Sequence, residues 1–189
     1  TSKNDFSKYI TLHPPKNFFW ADPFVWKEND NYTLFIEEKK NGTKSGYISV
    51  IDLKMNEELR AIKIIEENYH LSYPFFFEFK DDYYIIPESA SNKTINLYKC
   101  IEYPYKWTFV KFLMEKVKAV DSTLFEYNNK WWLFTNMQSI DGMSIQDELF
   151  LFYSDSPLSA NWVPHRMNPI VSDVRKSRPA GKIFIEDGK

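Results

Sequence analysis

Phe19-Trp20-Ala21-Asp22-Pro23-Phe24-Val25, answered by Asn31-Tyr32-Thr33-Leu34-Phe35-Ile36-Glu37, decides the fold, because the chain says it again. His70-Leu71-Ser72-Tyr73-Pro74-Phe75-Phe76 runs on to Asp82-Tyr83-Tyr84-Ile85-Ile86-Pro87-Glu88. Ala119-Val120-Asp121-Ser122-Thr123-Leu124-Phe125 runs on to Lys130-Trp131-Trp132-Leu133-Phe134-Thr135-Asn136. Ser177-Arg178-Pro179-Ala180-Gly181-Lys182-Ile183-Phe184 opens the same way once more. With Asp22, Tyr73, Asp121 and Arg178 taken as equivalent, the repeat is about 50 residues long, the period of propeller blades or solenoid turns.

Each phrase reads as a β-hairpin. Apolar, β-branched and aromatic strands (Pro23 to Trp26, Pro74 to Phe79, Thr123 to Tyr127) meet polar turns, and a second aromatic strand follows each. A third strand is expected at Gly46 to Ile51, Thr94 to Cys100 and Glu148 to Tyr153. A fourth is expected at Arg60 to Ile65, Thr108 to Phe112 and Trp162 to His165. Four short antiparallel strands per repeat make a propeller blade. Only Leu53 to Glu67 carries any helical period, and its Ile62, Ile64 alternation suits a strand as well. The expected fold is all-β. Blades fall at about 18–66, 70–114 and 119–170, with a fourth beginning at about 176–189. Trp107 and Trp162, each behind a turn proline, are expected to anchor the core between blades. Propellers close with about four to eight blades, so the chain is expected to be part of a longer protein.

Bulk properties narrow the function. The chain has 189 residues, 43% hydrophobic and 18% aromatic, which excludes disorder, and a net charge of −2. Lys and Arg are scattered, so neither a nucleic-acid footprint nor a polybasic membrane patch is expected. No apolar run reaches the roughly 20 residues of a spanning helix. A lone Cys100 and the absence of a signal peptide favour a cytoplasmic setting, unless the chain is excised from a larger one. His13, His70 and His165 lack metal-ligand spacing and read as turn or rim residues, and the five glycines form no phosphate-binding loop. No cofactor or metal is expected.

In a propeller the first strand of each blade lies innermost, and its leading end opens on the axis. Asp22, Tyr73, Asp121 and Arg178 therefore converge, with Glu37, Glu88 and Asn136 equivalent on the second strands. Burying such groups unpaired costs a few kcal/mol each, so they need a reason. One reading makes Asp22 and Asp121 turn caps neutralised by Arg178. The other is a polyol site in which carboxylates and Arg bond hydroxyls while Trp20, Trp26, Tyr73 or Trp131 stacks on a sugar face. Asp22 and Asp121 at the spacing of an inverting glycosidase would leave Glu88, with its pKa raised, as the acid.

Asp-Pro at the head of the first repeat, Asp at the head of the third and aromatic four-stranded blades resemble the five-bladed propellers of glycoside hydrolase family 43. A closer similarity is to the N-terminal propeller of plant glucosamine inositolphosphorylceramide transferases and related bacterial proteins of surface-glycan pathways. It is carried by Ala21-Asp22-Pro23-Phe24, Ser72-Tyr73-Pro74-Phe75, Ile86-Pro87-Glu88-Ser89, Leu97-Tyr98, Asp121-Ser122-Thr123-Leu124-Phe125, Trp131-Trp132-Leu133-Phe134, Asn168-Pro169 and Arg178-Pro179-Ala180-Gly181. The hydrolase resemblance implies a base at Asp22 and a pKa-modulating carboxylate at Asp121. It also implies a general acid at the head of the fourth blade, where this chain has Arg178, which donates no proton at neutral pH.

The reading favours a glycan-binding propeller serving glycolipid or surface-polysaccharide synthesis, its ligand a sugar, with a transferase domain elsewhere in the parent protein. Asp22, Glu88 and Asp121 are the candidate catalytic residues; Trp20, Glu37, Tyr73, Asn136 and Arg178 are the candidate sugar contacts. The alternatives are an inverting glycoside hydrolase and a protein-interaction scaffold.

Overall fold

The structure, a computed structural model, describes residues 9, 11–53, 59–138, 140, 142 and 144–185. It holds three antiparallel sheets in chain order. The first contains β1 (Phe18–Glu28), β2 (Asn31–Lys40), β3 (Tyr47–Leu53) and β4 (Ala61–Ile65). The second contains β5 (Ser72–Phe79), β6 (Asp82–Ser89), β7 (Thr94–Glu102) and β8 (Lys106–Glu115). The third contains β9 (Ala119–Tyr127), β10 (Lys130–Met137), β11 (Glu148–Ser154) and the short β12 (Val163–Pro164), with β13 (Val171–Ser172) also pairing with β11.

Turn chemistry sets the registers. Lys80 and Asp81 have φ of 53° and 62°, Asn128 and Asn129 of 52° and 57°, so both hairpins close on two left-handed residues. That conformation matches the right-handed twist of the flanking strands. Glu28 pairs directly with Asn31, so the first hairpin is also a two-residue turn, shorter than the polar run Lys27 to Asn31 suggests.

The sheets stack through aromatic faces. Strand β5 packs on β1 and β2, and β9 packs on β5 and β6, so the first strand of each sheet lies innermost in a propeller-like fan that does not close on itself. Phe35 is fully buried and stacks on Phe76 at 4.6 Å, while Trp107 meets both rings edge-on. Trp107 gives its indole N–H to the Pro104 carbonyl at 2.8 Å, and Trp162 is buried in the same core. Cys100 is half-buried, and burial pushes its thiol up to about 11, which leaves it unreactive at neutral pH.

Two expectations need correction. The leading strands begin earlier than expected, because residues before each polar head (Phe18 to Ala21, Ser72, and Ala119 and Val120) are paired in the ladders too, while Asp22, Tyr73 and Asp121 are not. The expected opening strand of a fourth blade is absent among the described residues: 176–185 form no strand. A strand needs a neighbour to pair with, and here Arg178, Gly181 and Lys182 contact the first three sheets instead, while Ile183, Phe184 and Ile185 are exposed. Residues 186–189, the rest of that expectation, and 54–58 in the helix-or-strand stretch lie outside the described residues.

Candidate functional site

Asp22, Tyr73 and Asp121 sit at the same structural position. In each sheet two residues of the first strand oppose one of the second: Asp22-Pro23 against Ile36, Tyr73-Pro74 against Pro87, Asp121-Ser122 against Thr135. Each is a β-bulge whose first residue is left-handed, with φ of 48°, 43° and 54°. A non-glycine residue there costs on the order of 1–3 kcal/mol, and such strain gathers at functional sites. The extra residue turns each side chain out of the ladder toward a common centre.

There, Asp22, Tyr73, Asp121 and Arg178 line one pocket of about 300 Å3, with Pro23, Phe24, Pro179, Ala180 and Gly181 completing its wall. Asp22 Oδ2 accepts the Tyr73 backbone N–H at 3.1 Å, tying the first sheet to the second. The Tyr73 hydroxyl bonds Thr123 Oγ1 at 2.8 Å and accepts the Gly181 N–H at 2.9 Å. Arg178 donates from Nε and Nη2 to Asp121 Oδ2, both at 2.5 Å. Lys182 reaches on to the Trp26 ring of the first sheet, 5.2 Å from its centroid. Segment 178–182 thus crosses the three sheets at their meeting point.

The electrostatics follow from crowding carboxyls in a half-dry space. Burial, then the Asp121 charge, pushes Glu88 up to about 7, against the opposing pull of Arg178 and a backbone hydrogen bond from Asp121. Burial also raises Asp121, opposed by the Arg178 guanidinium. Burial, then the Asp22 charge, pushes Glu37 up to about 7. Burial raises Tyr73, so its hydroxyl keeps its proton.

Of the residues expected to meet here, Asp22, Tyr73, Asp121 and Arg178 line the pocket, and Glu88 lies within electrostatic reach of the three charged ones. Glu37 is buried behind Asp22. Asn136 is fully buried and spends its Nδ2 on the Glu148 carbonyl at 2.9 Å; its Oδ1 has no hydrogen-bond partner among the described residues. Trp20 is elsewhere: it gives its indole N–H to Glu38 Oε1 at 3.0 Å and lines a separate apolar cavity with Leu12, Leu34 and Ile36. It precedes the bulge, so the alternation of the strand turns it to the outer face. Trp26 packs on Phe76 and Tyr83, and Trp131 on Phe77 and Phe79, so both are core. Tyr73, set edge-on against Phe24 at 4.9 Å, is the one stacking candidate that lines the pocket.

Sequence reasoning missed the surroundings of His70. Its Nδ1 accepts the Gly46 N–H at 2.9 Å and its Nε2 faces Glu37 Oε1 at 3.6 Å, so it is no simple rim residue. Gly46, immediately before the third strand, was the available signal: an added Cβ would stand 2.8 Å from Glu37 Oε1 and 3.1 Å from the imidazole.

No group of three or more potential metal ligands occurs among the described residues. Pairing Asp22 with a Glu88 that holds its proton near neutrality could serve acid–base chemistry, and the whole ring could bond the hydroxyls of a polyol.

Residues 8–189 match the family described as glucosamine inositolphosphorylceramide transferase 1, N-terminal. The glucosamine inositolphosphorylceramide transferase 1 of Oryza sativa subsp. japonica is 36% identical over 179 residues, 92% of this chain and 24% of that protein. The chain therefore spans about a quarter of the length of the curated relatives it matches. Among solved structures, a family 117 glycoside hydrolase of Zobellia galactanivorans superposes with a TM-score of 0.65 at 12% identity, over 83% of this chain and 58% of that one. An exo-β-1,3-galactanase of Phanerochaete chrysosporium, solved with β-1,3-galactotriose, gives 0.62 at 13% identity, over 79% and 36%. At such identities the likeness is one of fold.

Proposed function

The chain belongs to the family of the glucosamine inositolphosphorylceramide transferase N-terminal domain, and from that premise we propose that it is a sugar-binding propeller domain accompanying a glycosyltransferase of glycolipid or surface-polysaccharide synthesis. The three sheets are its first three blades, at about 18–66, 70–114 and 119–170. In this reading the segment from about 176, which forms no strand among the described residues, belongs to the fourth of five. The ligand sits where the innermost strands meet, against Asp22, Asp121 and the Tyr73 ring, with Arg178 at the rim.

One observation carries this reading: three sheets each hold a strained, left-handed, polar-headed bulge, and all three heads line one pocket. Turn capping alone does not call for it. Asp22 does accept a backbone N–H, but Asp121 bonds a side chain that is 44% exposed. The relatives' name, with its glucosamine and inositolphosphoryl groups, and the sugar-acting fold neighbours point the same way.

An inverting glycoside hydrolase is the second reading, favoured by Glu88 with its pKa near 7. Arg178, where the hydrolase pattern has its acid, counts against it. A glycan array probed with the full-length protein, beside Asp22→Asn and Glu88→Gln, separates the readings. Binding lost in Asp22→Asn without product release supports the lectin-like site; product release lost in Glu88→Gln supports the hydrolase. Absence of any binding moves the domain to the protein-interaction scaffold.

A further inference from the structure

The stretch between the first two sheets is held at four points. The Gly46 N–H bonds the His70 imidazole at 2.9 Å, and the Gly46 carbonyl accepts the Leu71 N–H at 3.1 Å. Ser72 pairs with Glu88, and the Tyr73 N–H closes on Asp22 Oδ2 at 3.1 Å. The side-chain anchor of this run is His70, wedged between Gly46 and the buried Glu37, with no space for a Cβ on Gly46. Because Nδ1 accepts from Gly46, the neutral ring carries its proton on Nε2, toward Glu37 Oε1 at 3.6 Å.

We propose that His70 is a positioning residue for the pocket: its neutral imidazole clamps residues 70–73 to the first sheet, so that Tyr73 takes its left-handed place and its N–H fixes the Asp22 carboxylate. The purpose of the clamp rests on the sugar-binding reading; the clamp itself does not. Protonation makes Nδ1 a donor facing another donor, and the Gly46 bond is lost. The groups acting on the ring are Asp22 from β1 and Glu37 and Lys39 from β2. Burial, followed by Lys39, lowers its pKa against Asp22, so the clamp holds through neutral pH and opens in acid.

The test is hydrogen–deuterium exchange of the peptides containing Gly46 and Tyr73, corrected for intrinsic rates, in the full-length protein without ligand. Calorimetry with myo-inositol, a polyol whose charge does not change with pH, accompanies it. His70→Ala should speed exchange of both amides by about tenfold at pH 7, the equivalent of one lost hydrogen bond, and weaken inositol binding by about as much. His70→Asn, whose Oδ1 can accept from Gly46 but does not titrate, should restore both. As the pH is lowered from 7 into the range below the ordinary histidine value, the wild type should lose its Gly46 protection, whereas His70→Asn should keep it. Equal protection in the wild type and His70→Ala overturns the clamp, as does a His70→Asn variant no better than His70→Ala. If exchange behaves as expected while inositol binds none of the proteins, the clamp stands and the polyol reading falls.

Discussion

Asp22, Tyr73 and Asp121 are each asked to do two unfavourable things, to adopt a left-handed backbone and to present polar atoms in a half-buried pocket. Asparagine tolerates that backbone, so Asp22→Asn and Asp121→Asn should change unfolding free energy by less than about 1 kcal/mol while weakening sugar binding at least tenfold. Urea melts beside calorimetry check this; a loss of about 1–3 kcal/mol in stability with binding intact would favour turn capping. Glu88 gives a pH signature. Its native pKa of about 7 lies above its ordinary value of 4.5, so between these values the native state holds a proton that the unfolded chain has lost. Its contribution to stability therefore falls as pH rises through that window, by up to a few kcal/mol. Glu88→Gln should flatten the difference between urea midpoints at pH 5 and pH 7; an unchanged difference would place the titration elsewhere. The identities of these residues were legible from the repeat, because equivalent positions in a radial fold converge. Their backbone was not: a bulge adds one residue to one strand, and apolar alternation carries no mark of which residue is extra.

The hairpins were legible as elements because aromatic and β-branched runs flank short polar turns, and the residues in those turns explain their tightness. Lys80 and Asp81 are poorer occupants of two left-handed positions than Asn-Gly. The double substitution Lys80→Asn, Asp81→Gly should raise stability by roughly 1 kcal/mol in chemical denaturation, whereas a loss would show that the turn departs from this geometry. Phe35 tests the sheet-to-sheet contact. It is fully buried against Phe76 and Trp107, so Phe35→Ala should cost about 3–5 kcal/mol. A cost below about 1 kcal/mol would mean that the first two sheets do not share that core. Trp20 was misread because an aromatic beside Asp22 looks like a sugar platform in sequence; only the ladder reveals that it turns outward to Glu38.

Taken whole, the molecule is a fan of three sheets whose inner strands, with segment 178–182, enclose one polar pocket. The repeat predicted the sheets and their order. It could not show that this segment would cross the pocket instead of pairing as a strand, since pairing depends on neighbours that local sequence does not describe. The account stands on sugar occupying the point where the sheets meet. The most direct measurement is a crystal structure of the full-length protein soaked with the best ligand from the glycan array. The expected result is a sugar ring against Tyr73, with hydroxyls on the Asp22 and Asp121 carboxylates and within reach of Arg178. A sugar bound elsewhere, with this pocket holding only solvent, would contradict the account.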